Sequence, residues 1–241
     1  MFTGIIQSVA LISSINDDKG IRTFAIEFEA GFCEDLEIGA SVAVDGVCLT
    51  VTEIVSPTLV KFDIMMKSLE ITTLSEYKQN QKINVERAAK DGAEIGGHPL
   101  SGHVDFKTSV LDVQQIDDNY RVRINAPREW LKYIFPKGYI ALNGASLTVS
   151  DVDKKEGWFD VWLIPETRRM TTFEEKQSGS NINVEIERGT QVIVDTVRDA
   201  IDEKMGALMP LFEKFLATNN ADIDSIGQAA QKALSIKADN E

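Results

Sequence analysis

Histidine, cysteine and proline are scarce in this chain of 241 residues, which holds two, two and six of them. The cysteines, Cys33 and Cys48, do not have the spacing of a metal-ligand pair. The histidines, His98 and His103, stand five apart in "GGHPLSGH" with no carboxylate or cysteine cluster to complete a site, so no metal is expected. A polar contact at a ligand site is the better reading of one of them. Basic residues are also short: 25 Lys and Arg against 38 Asp and Glu leave a net charge of −13. Phosphate binding needs clustered cations, so the balance argues against a nucleic-acid partner and against an anionic membrane surface. No apolar run approaches the roughly 18 residues of a membrane span. The opening "MFTGIIQSVALISSI" has neither a basic start nor a small-residue cleavage site. With two isolated cysteines this leads to the expectation of a cytoplasmic protein. There is no Walker loop, no GxGxxG and no HExxH, and no cofactor is expected.

What the chain does have is repetition. "VAVDGVCLTVTEI" (42–54) returns as "IALNGASLTVSDV" (140–152), with Gly46 and Gly144 a shift of 98 apart. At nearly the same shift Thr3-Gly4 falls on Ser101-Gly102, "KFDIM" on "WFDVW", "TTL" on "TTF", and "INVERA" on "INVEIE". Five blocks in the same order and spacing identify a duplicated domain. Cys48 of the first copy becomes Ser146 in the second.

Each copy reads as β-rich. The alternation around Asp45-Gly46 is a hairpin signal, and "TLVKFDIMM", "INVERA", "GWFDVWLI" and "INVEIE" are short strand patterns. Several short strands with turn signals imply a small barrel or sandwich per copy. One helix is expected in each, at "FCEDLEIG" (32–39) and "PREWLKYIFPKG" (127–138). "AAKDGAEIGGHPLSG" (88–102) reads as a linker. From Thr190 the pattern changes: Val194, Val197, Ile201, Met205, Leu208, Phe212 and Phe215 recur at three- and four-residue spacing, an amphipathic helix that Pro210 should kink or divide. A weaker helical pattern follows at "DIDSIGQAAQKAL". The stripe either packs back on its own barrels or drives self-association, the favoured reading. The divisions are residues 1–98, 99–189 and 190–241.

Cys48 and Thr50, like Ser146 and Thr148, sit two apart and share one face of a strand. If that face is the barrel interior, they are small core residues. If it faces a cleft, each copy offers a hydroxyl or thiol with a threonine to a ligand. Lys137, just before the second hairpin, is either a cation near such a cleft or a solvated charge.

"MFTGII", "GVCLTVTEI", "NVERAAKDGAEIGGHPLSGHVD", "KGYIALNGASLTVS", "IPETRRMTTF" and "NVEIE", in this order over residues 1 to about 200, resemble the riboflavin synthase family of the α-chain type. The resemblance implies a mainly β fold of two tandem six-stranded Greek-key barrels and a C-terminal helix that assembles a homotrimer. It implies a dismutation of two molecules of 6,7-dimethyl-8-ribityllumazine, one giving a four-carbon unit to the other, with riboflavin and 5-amino-6-ribitylamino-uracil as products. Two copies of one substrate call for two similar sites, and unequal roles call for a difference such as Cys48 against Ser146. In the family the N-barrel of one subunit faces the C-barrel of its neighbour. Carried over, the N-barrel site takes Gly4, Ile5, Ile6, Cys48, Leu49, Thr50, Asp63, Ile64 and Met65. The C-barrel site takes Lys137, Ser146, Leu147, Thr148, Ile164, Pro165, Glu166 and Thr167, and Gly102, His103 and Val104 complete the set. Much of the binding is expected through backbone groups. His103 is the candidate for proton transfer, Cys48 for nucleophile or polar contact, and Ser146 is its counterpart in the second copy. Lys67-Ser68 stands where the family has Glu-Thr in the N-barrel, Asn143 where it has Asp, Glu187 where Asp is common, and the tail beyond Asn219 is longer. Non-catalytic relatives, the lumazine and yellow fluorescent proteins, keep the fold as optical antennae. They have lost much of the "GGHxxSGH" and "IPET" blocks that this chain keeps, so an antenna is the second reading.

Overall fold

Asp45-Gly46 and Asn143-Gly144 each take a left-handed backbone at both positions, with φ of 42° and 81° in the first pair and 44° and 81° in the second. Two successive positive φ values are what a tight type I′ hairpin turn requires, and Asp-Gly and Asn-Gly tolerate them best. The turns close the hairpins β3 (Ser41–Val44) to β4 (Val47–Ile54) and β9 (Tyr139–Leu142) to β10 (Ala145–Asp153). The computed structural model describes residues 1–218.

Around the first hairpin lie β1 (Ser8–Asp18), β2 (Ile21–Glu27), β5 (Leu59–Met65) and β6 (Lys82–Arg87). They close an antiparallel barrel in the order β1-β2-β5-β4-β3-β6. Because β2 pairs with β5 and skips the β3–β4 hairpin, the path is a Greek key. The second copy repeats it with β7 (Phe106–Ile116), β8 (Asn119–Asn125), β11 (Trp158–Leu163) and β12 (Asn181–Ile186). Even the irregularities recur: β1 shifts register between Ile12 and Ser14, and β7 between Val110 and Asp112. Alternate residues point inward, so Phe24, Ile26, Leu49, Val51, Phe62 and Ile83 fill the first core. Closure removes the exposed sheet edges that would otherwise template aggregation.

The barrels meet across a pseudo-two-fold axis through polar groups. Asn84 donates from Nδ2 to the Asn143 carbonyl at 3.0 Å and accepts the Thr172 N–H at 2.8 Å. Asn183 mirrors it, donating to the Asp45 carbonyl at 2.9 Å and accepting the Thr73 N–H at 2.8 Å. The hairpin tips almost touch: a Cβ on Gly46 would lie 2.7 Å from the Gly144 nitrogen. The Asp–Asn difference between the copies falls at this buried interface. Asp45 accepts a hydrogen bond from the Tyr77 hydroxyl, and burial pushes its carboxyl up against the opposing effects of Lys176 and Tyr77.

The two helices expected inside the barrels do not form. Residues 31–35 and 38–39 are turns, with Asp35 at φ 57° and Gly39 at φ 90°, and only a 3₁₀ turn, Leu131–Tyr133, stands in the second copy. Positive φ values interrupt the helical path, and Phe32 and Leu36 reach the core from turns instead. The real helices are shorter and lie after β5 and β11: α1 (Met66–Ile71) and α2 (Pro165–Arg169), each followed by a 3₁₀ turn. The segment 88–102 is more than a spacer: Phe2 and Leu100 exchange backbone hydrogen bonds of 2.8 and 2.9 Å, and both side chains are buried.

Residues Met1–Gln191 form one compact unit, and a second begins at Val192. Helix α3 (Arg188–Thr218) starts on a carboxylate cap, since Glu187 accepts the Gly189 and Thr190 N–H groups. It runs through Pro210 without dividing, so the lost hydrogen bond at that one residue does not stop it. Val197, Ile201, Met205, Leu208, Phe212 and Phe215 are exposed along it. The weaker helical pattern at "DIDSIGQAAQKAL" lies outside the described residues. No helix among the described residues is long and apolar enough to cross a membrane.

Candidate functional site

Each barrel carries a glycine segment that is held by its own barrel and offered to the other. The Glu86 carboxylate on β6 accepts the Thr3 N–H at 2.6 Å, the Thr3 hydroxyl at 2.7 Å and the Gly4 N–H at 3.0 Å. Glu185 on β12 does the same for Ser101 and Gly102, at 2.7, 2.7 and 3.0 Å. Burial pushes both carboxyls up, while the hydrogen bonds from Thr3, Gly4 and Ser101 draw them down. Held this way, the Gly4 carbonyl accepts the Ser146 N–H at 2.8 Å, and the Gly102 carbonyl accepts the Cys48 N–H at 2.8 Å. The segments therefore cross over. Gly4, Ile5 and Ile6 lie with Ser146 of the second barrel, and Gly102 lies against Cys48 of the first, whereas the sequence grouped Gly4–Ile6 with Cys48.

Contact this close needs glycine. Gly4 and Gly102 both sit at φ 76°, and a Cβ on them would lie 2.5 Å from the Ser146 Cβ and 2.7 Å from the Cys48 Cβ.

The alternation of β4 and β10 settles which way the paired residues face. Leu49 and Leu147 are buried in the barrels, so Cys48, Thr50, Ser146 and Thr148 point outward. Ser146 lines a cleft, whereas Cys48 is half-buried against a small core of Phe2, Ala43, Leu100 and Ala141. At Ser146 the cleft holds about 290 Å³ and is lined by Gly4–Ile6, Ser146 and, from α2, Glu166 and Thr167. Ile164 and Pro165, just before them, are exposed. Of the eight residues expected in the C-barrel, the cleft brings together Ser146, Glu166 and Thr167. Lys137 is exposed at φ 70°, a left-handed position occupied in the first barrel by Gly39. Holding lysine there costs on the order of 1–2 kcal/mol.

Other expected residues stand apart. Ile64 and Val104 are buried in the first core, and Asp63 lies on the barrel wall, accepting a hydrogen bond from Thr23 at 2.7 Å. Met65 is exposed at the end of β5.

The imidazole beside Ser146 is His98, with Nδ1 2.6 Å from the hydroxyl oxygen. Its ring stacks on Tyr139 at 5.1 Å and 17°. Burial lowers its pKa below the ordinary histidine value, against an opposing pull from Glu187. It is therefore neutral near pH 7, able to exchange a proton with a hydroxyl. The His103 side chain is exposed, and its carbonyl accepts a hydrogen bond from Arg188. The sequence noted both histidines but had no local signal to pair either with a serine 48 residues away. It also gave no prominence to Glu86 and Glu185, although the repeated "NVE" was visible. Among the described residues no cluster of His, Cys, Asp and Glu has metal-site geometry.

The architecture matches known proteins. The family model "Lumazine binding domain" matches twice, over residues 3–88 and 101–187. The riboflavin synthase of Escherichia coli (strain K12) is 41% identical over 209 residues, covering 86% of this chain and 97% of its own. Two solved structures of LumP are similar at 26% identity. The complex with 6,7-dimethyl-8-(1'-D-ribityl) lumazine has a TM-score of 0.70 and the complex with flavin mononucleotide 0.69, each covering 78% of this chain and 99% of the other.

Proposed function

The chain belongs to the riboflavin synthase family, built from two lumazine-binding domains, and from that premise we propose how it works. It is an enzyme that converts two molecules of 6,7-dimethyl-8-ribityllumazine into riboflavin and 5-amino-6-ribitylamino-uracil. As a transferase, it moves four carbons from one lumazine ring to the other, and the atoms of the two substrates equal those of the two products.

The observation that carries this reading is the doubled crossing, Gly4 onto Ser146 and Gly102 onto Cys48, with unequal chemistry at its two ends. Both copies present an outward strand face, a crossed-over glycine segment and a short helix, so each accepts the same ring. One ends in a thiol, Cys48, and the other in a hydroxyl, Ser146, backed by His98. The protein's main task is to orient two rings whose reactive methyl is already acidic. Ser146 and His98 hold and move a proton at one ring, and Cys48 is the polar or nucleophilic contact at the other. Backbone groups at residues 4–6, 48–50, 102–104 and 146–148 face the heterocycle, and Glu166 and Thr167 face the polyol chain. His103, exposed beside the Cys48 site, remains the candidate for proton transfer there. A homotrimer brings the N-barrel of one chain to the C-barrel of the next, in the cytoplasm. The exposed apolar row on α3 supports that assembly.

The test is direct. Purified protein mixed with the lumazine should develop riboflavin absorbance. Tight binding with no conversion would instead support the antenna reading.

A further inference from the structure

His98 ends a loosely held stretch of chain. From Lys90 to Gly97 the one backbone hydrogen bond among the described residues is the turn from Ala93 to Lys90. The His98 N–H then donates to the Thr3 carbonyl at 3.1 Å, and Pro99 behind it biases its backbone toward extended geometry. The backbone brings the imidazole to Ser146 without setting its angle, because rotation about the last bond of a histidine side chain is broad. Ring contacts must fix that angle. Nδ1 lies 2.6 Å from the Ser146 hydroxyl oxygen. Nε2 is buried and has no hydrogen-bond partner among the described residues. One hydrogen bond leaves the ring free to roll about the line joining its two atoms. The second constraint is Tyr139, whose ring lies within 17° of parallel to the imidazole, with centroids 5.1 Å apart.

The sheet sets Tyr139 in turn. It opens β9 and pairs with Thr148 on β10, as Ala141 pairs with Ser146, so these four residues share the outward face. His98 is 2% exposed and Tyr139 56%. The tyrosine ring therefore takes the water-facing side and keeps one face of the imidazole dry. In the first barrel the place of Tyr139 belongs to Ser41, which pairs with Thr50. The aromatic ring thus stands only in the copy where an imidazole meets the hydroxyl. The other groups around His98 do not compete for its ring. The Glu86 carboxylate on β6 is taken up by Thr3 and Gly4. Glu187, just after β12, acts on His98 through its charge while its oxygens cap α3.

We infer that Tyr139 is a positioning residue for the reaction: its ring, stacked on His98, holds the imidazole at the angle from which Nδ1 meets the Ser146 hydroxyl. This rests on the reading of Ser146 and His98 as the pair that moves a proton, and it adds the group that aims them. A stack needs the ring and not the phenol hydroxyl, so phenylalanine should serve in its place.

The experiment compares wild type, Tyr139→Ala and Tyr139→Phe, each as the full chain, by lumazine conversion from about pH 5 to pH 9 and by NMR titration of the imidazoles. The chain has two histidines, and the exposed His103 is the internal reference for His98. Tyr139→Ala frees the ring and admits water to it. Its kcat should fall about tenfold to a hundredfold, with KM moved less than about twofold. Relief of burial should raise the His98 titration, and with it the acid limb of kcat, toward the ordinary histidine value. Neither pH reading depends on how much of the sample is folded. Tyr139→Phe should restore rate and titration together. A Tyr139→Ala that loses rate with both pH readings unmoved makes the tyrosine mere packing and overturns the inference, as does a Tyr139→Phe that behaves like Tyr139→Ala. Conversion by wild type with an unmoved His98 titration in Tyr139→Ala sinks the stack alone. A moved titration with no conversion by wild type upholds the stack and sinks the synthase reading.

Discussion

The Nδ1 atom of His98 lies 2.6 Å from the Ser146 hydroxyl oxygen, and the imidazole is buried against Tyr139. Removing the hydroxyl leaves a buried ring nitrogen without its partner, at a cost of about 1–3 kcal/mol. Ser146→Ala should therefore lose both stability and turnover. His98→Gln keeps a polar group near the hydroxyl but cannot carry a proton, so it should lose turnover by about tenfold to a hundredfold or more while melting near wild type. Rates with lumazine beside thermal midpoints for both variants check this, and a fully active His98→Gln removes His98 from the chemistry.

The same burial sets a pH dependence. The native pKa of His98 lies below its ordinary value of 6.5, so between the two values the unfolded chain binds the extra proton. Its contribution is fully present above pH 6.5 and is lost as pH falls from there toward the native pKa. Urea midpoints measured from pH 8 down to pH 5 should fall more in wild type than in His98→Gln. Parallel curves would show that the imidazole is no better buried than in the unfolded chain.

Gly102→Ala tests the crossing of the segments. Its Cβ would lie 2.7 Å from both the Cys48 Cβ and a Phe2 ring carbon at a backbone φ of 76°. Left-handed strain and overpacking together should cost about 2–4 kcal/mol. Gly31, at φ 92° with nothing within 4 Å, carries the backbone strain without the contact. Gly31→Ala should therefore cost less, and equal losses in melting temperature would show that close approach at Cys48 is unimportant.

Much of this frame was legible because it is local. Asp45-Gly46 and Asn143-Gly144 announce their turns, and blocks 98 residues apart announce the duplication. The alternation of Cys48, Thr50, Ser146 and Thr148 placed each pair on one face, though only the burial of Leu49 and Leu147 shows that the face is outward. The helix positions were missed because "MMKSLEI" is too short to show a period, while "FCEDLEIG" has one that its left-handed Asp35 and Gly39 do not use. The exchange of Gly4 and Gly102 between barrels depends on pairings across the whole chain and leaves no mark in spacing.

Asn84→Ala should loosen one barrel from the other. It removes the donor to the Asn143 carbonyl and the acceptor of the Thr172 N–H, both at a buried interface. Two unsatisfied backbone groups cost about 2–4 kcal/mol. Asn183→Ala should cost a similar amount, and the double variant should depart from the sum because the two share the hairpin tips. Denaturant midpoints for the three proteins decide it, and strict additivity would mean that the two asparagines act independently.

Shortening the chain tests whether turnover needs assembly, and the cut must fall after Gln191. Arg188 pairs with Asp105 at 2.8 Å, and Gln191 donates to the same carboxylate at 3.0 Å, so both belong to the barrel unit. A cut just after Arg188 would remove the second of these contacts and confuse lost assembly with lost packing. Residues 1–191 should fold and still bind lumazine, because the Ser146 cleft and the Gly102–Cys48 crossing lie within them. They should be monomeric, because Val197, Ile201, Met205, Leu208 and Phe212 are gone, a row too apolar to be left in water on a single chain. If the reacting rings come from two chains, turnover should fall steeply and recover with rising protein concentration, whereas a site within one chain gives a concentration-independent rate. Mass in solution and lumazine conversion, measured together over a hundredfold range of protein, separate the cases. A monomeric 1–191 with full activity would place both rings in one chain and leave α3 without a part in the reaction.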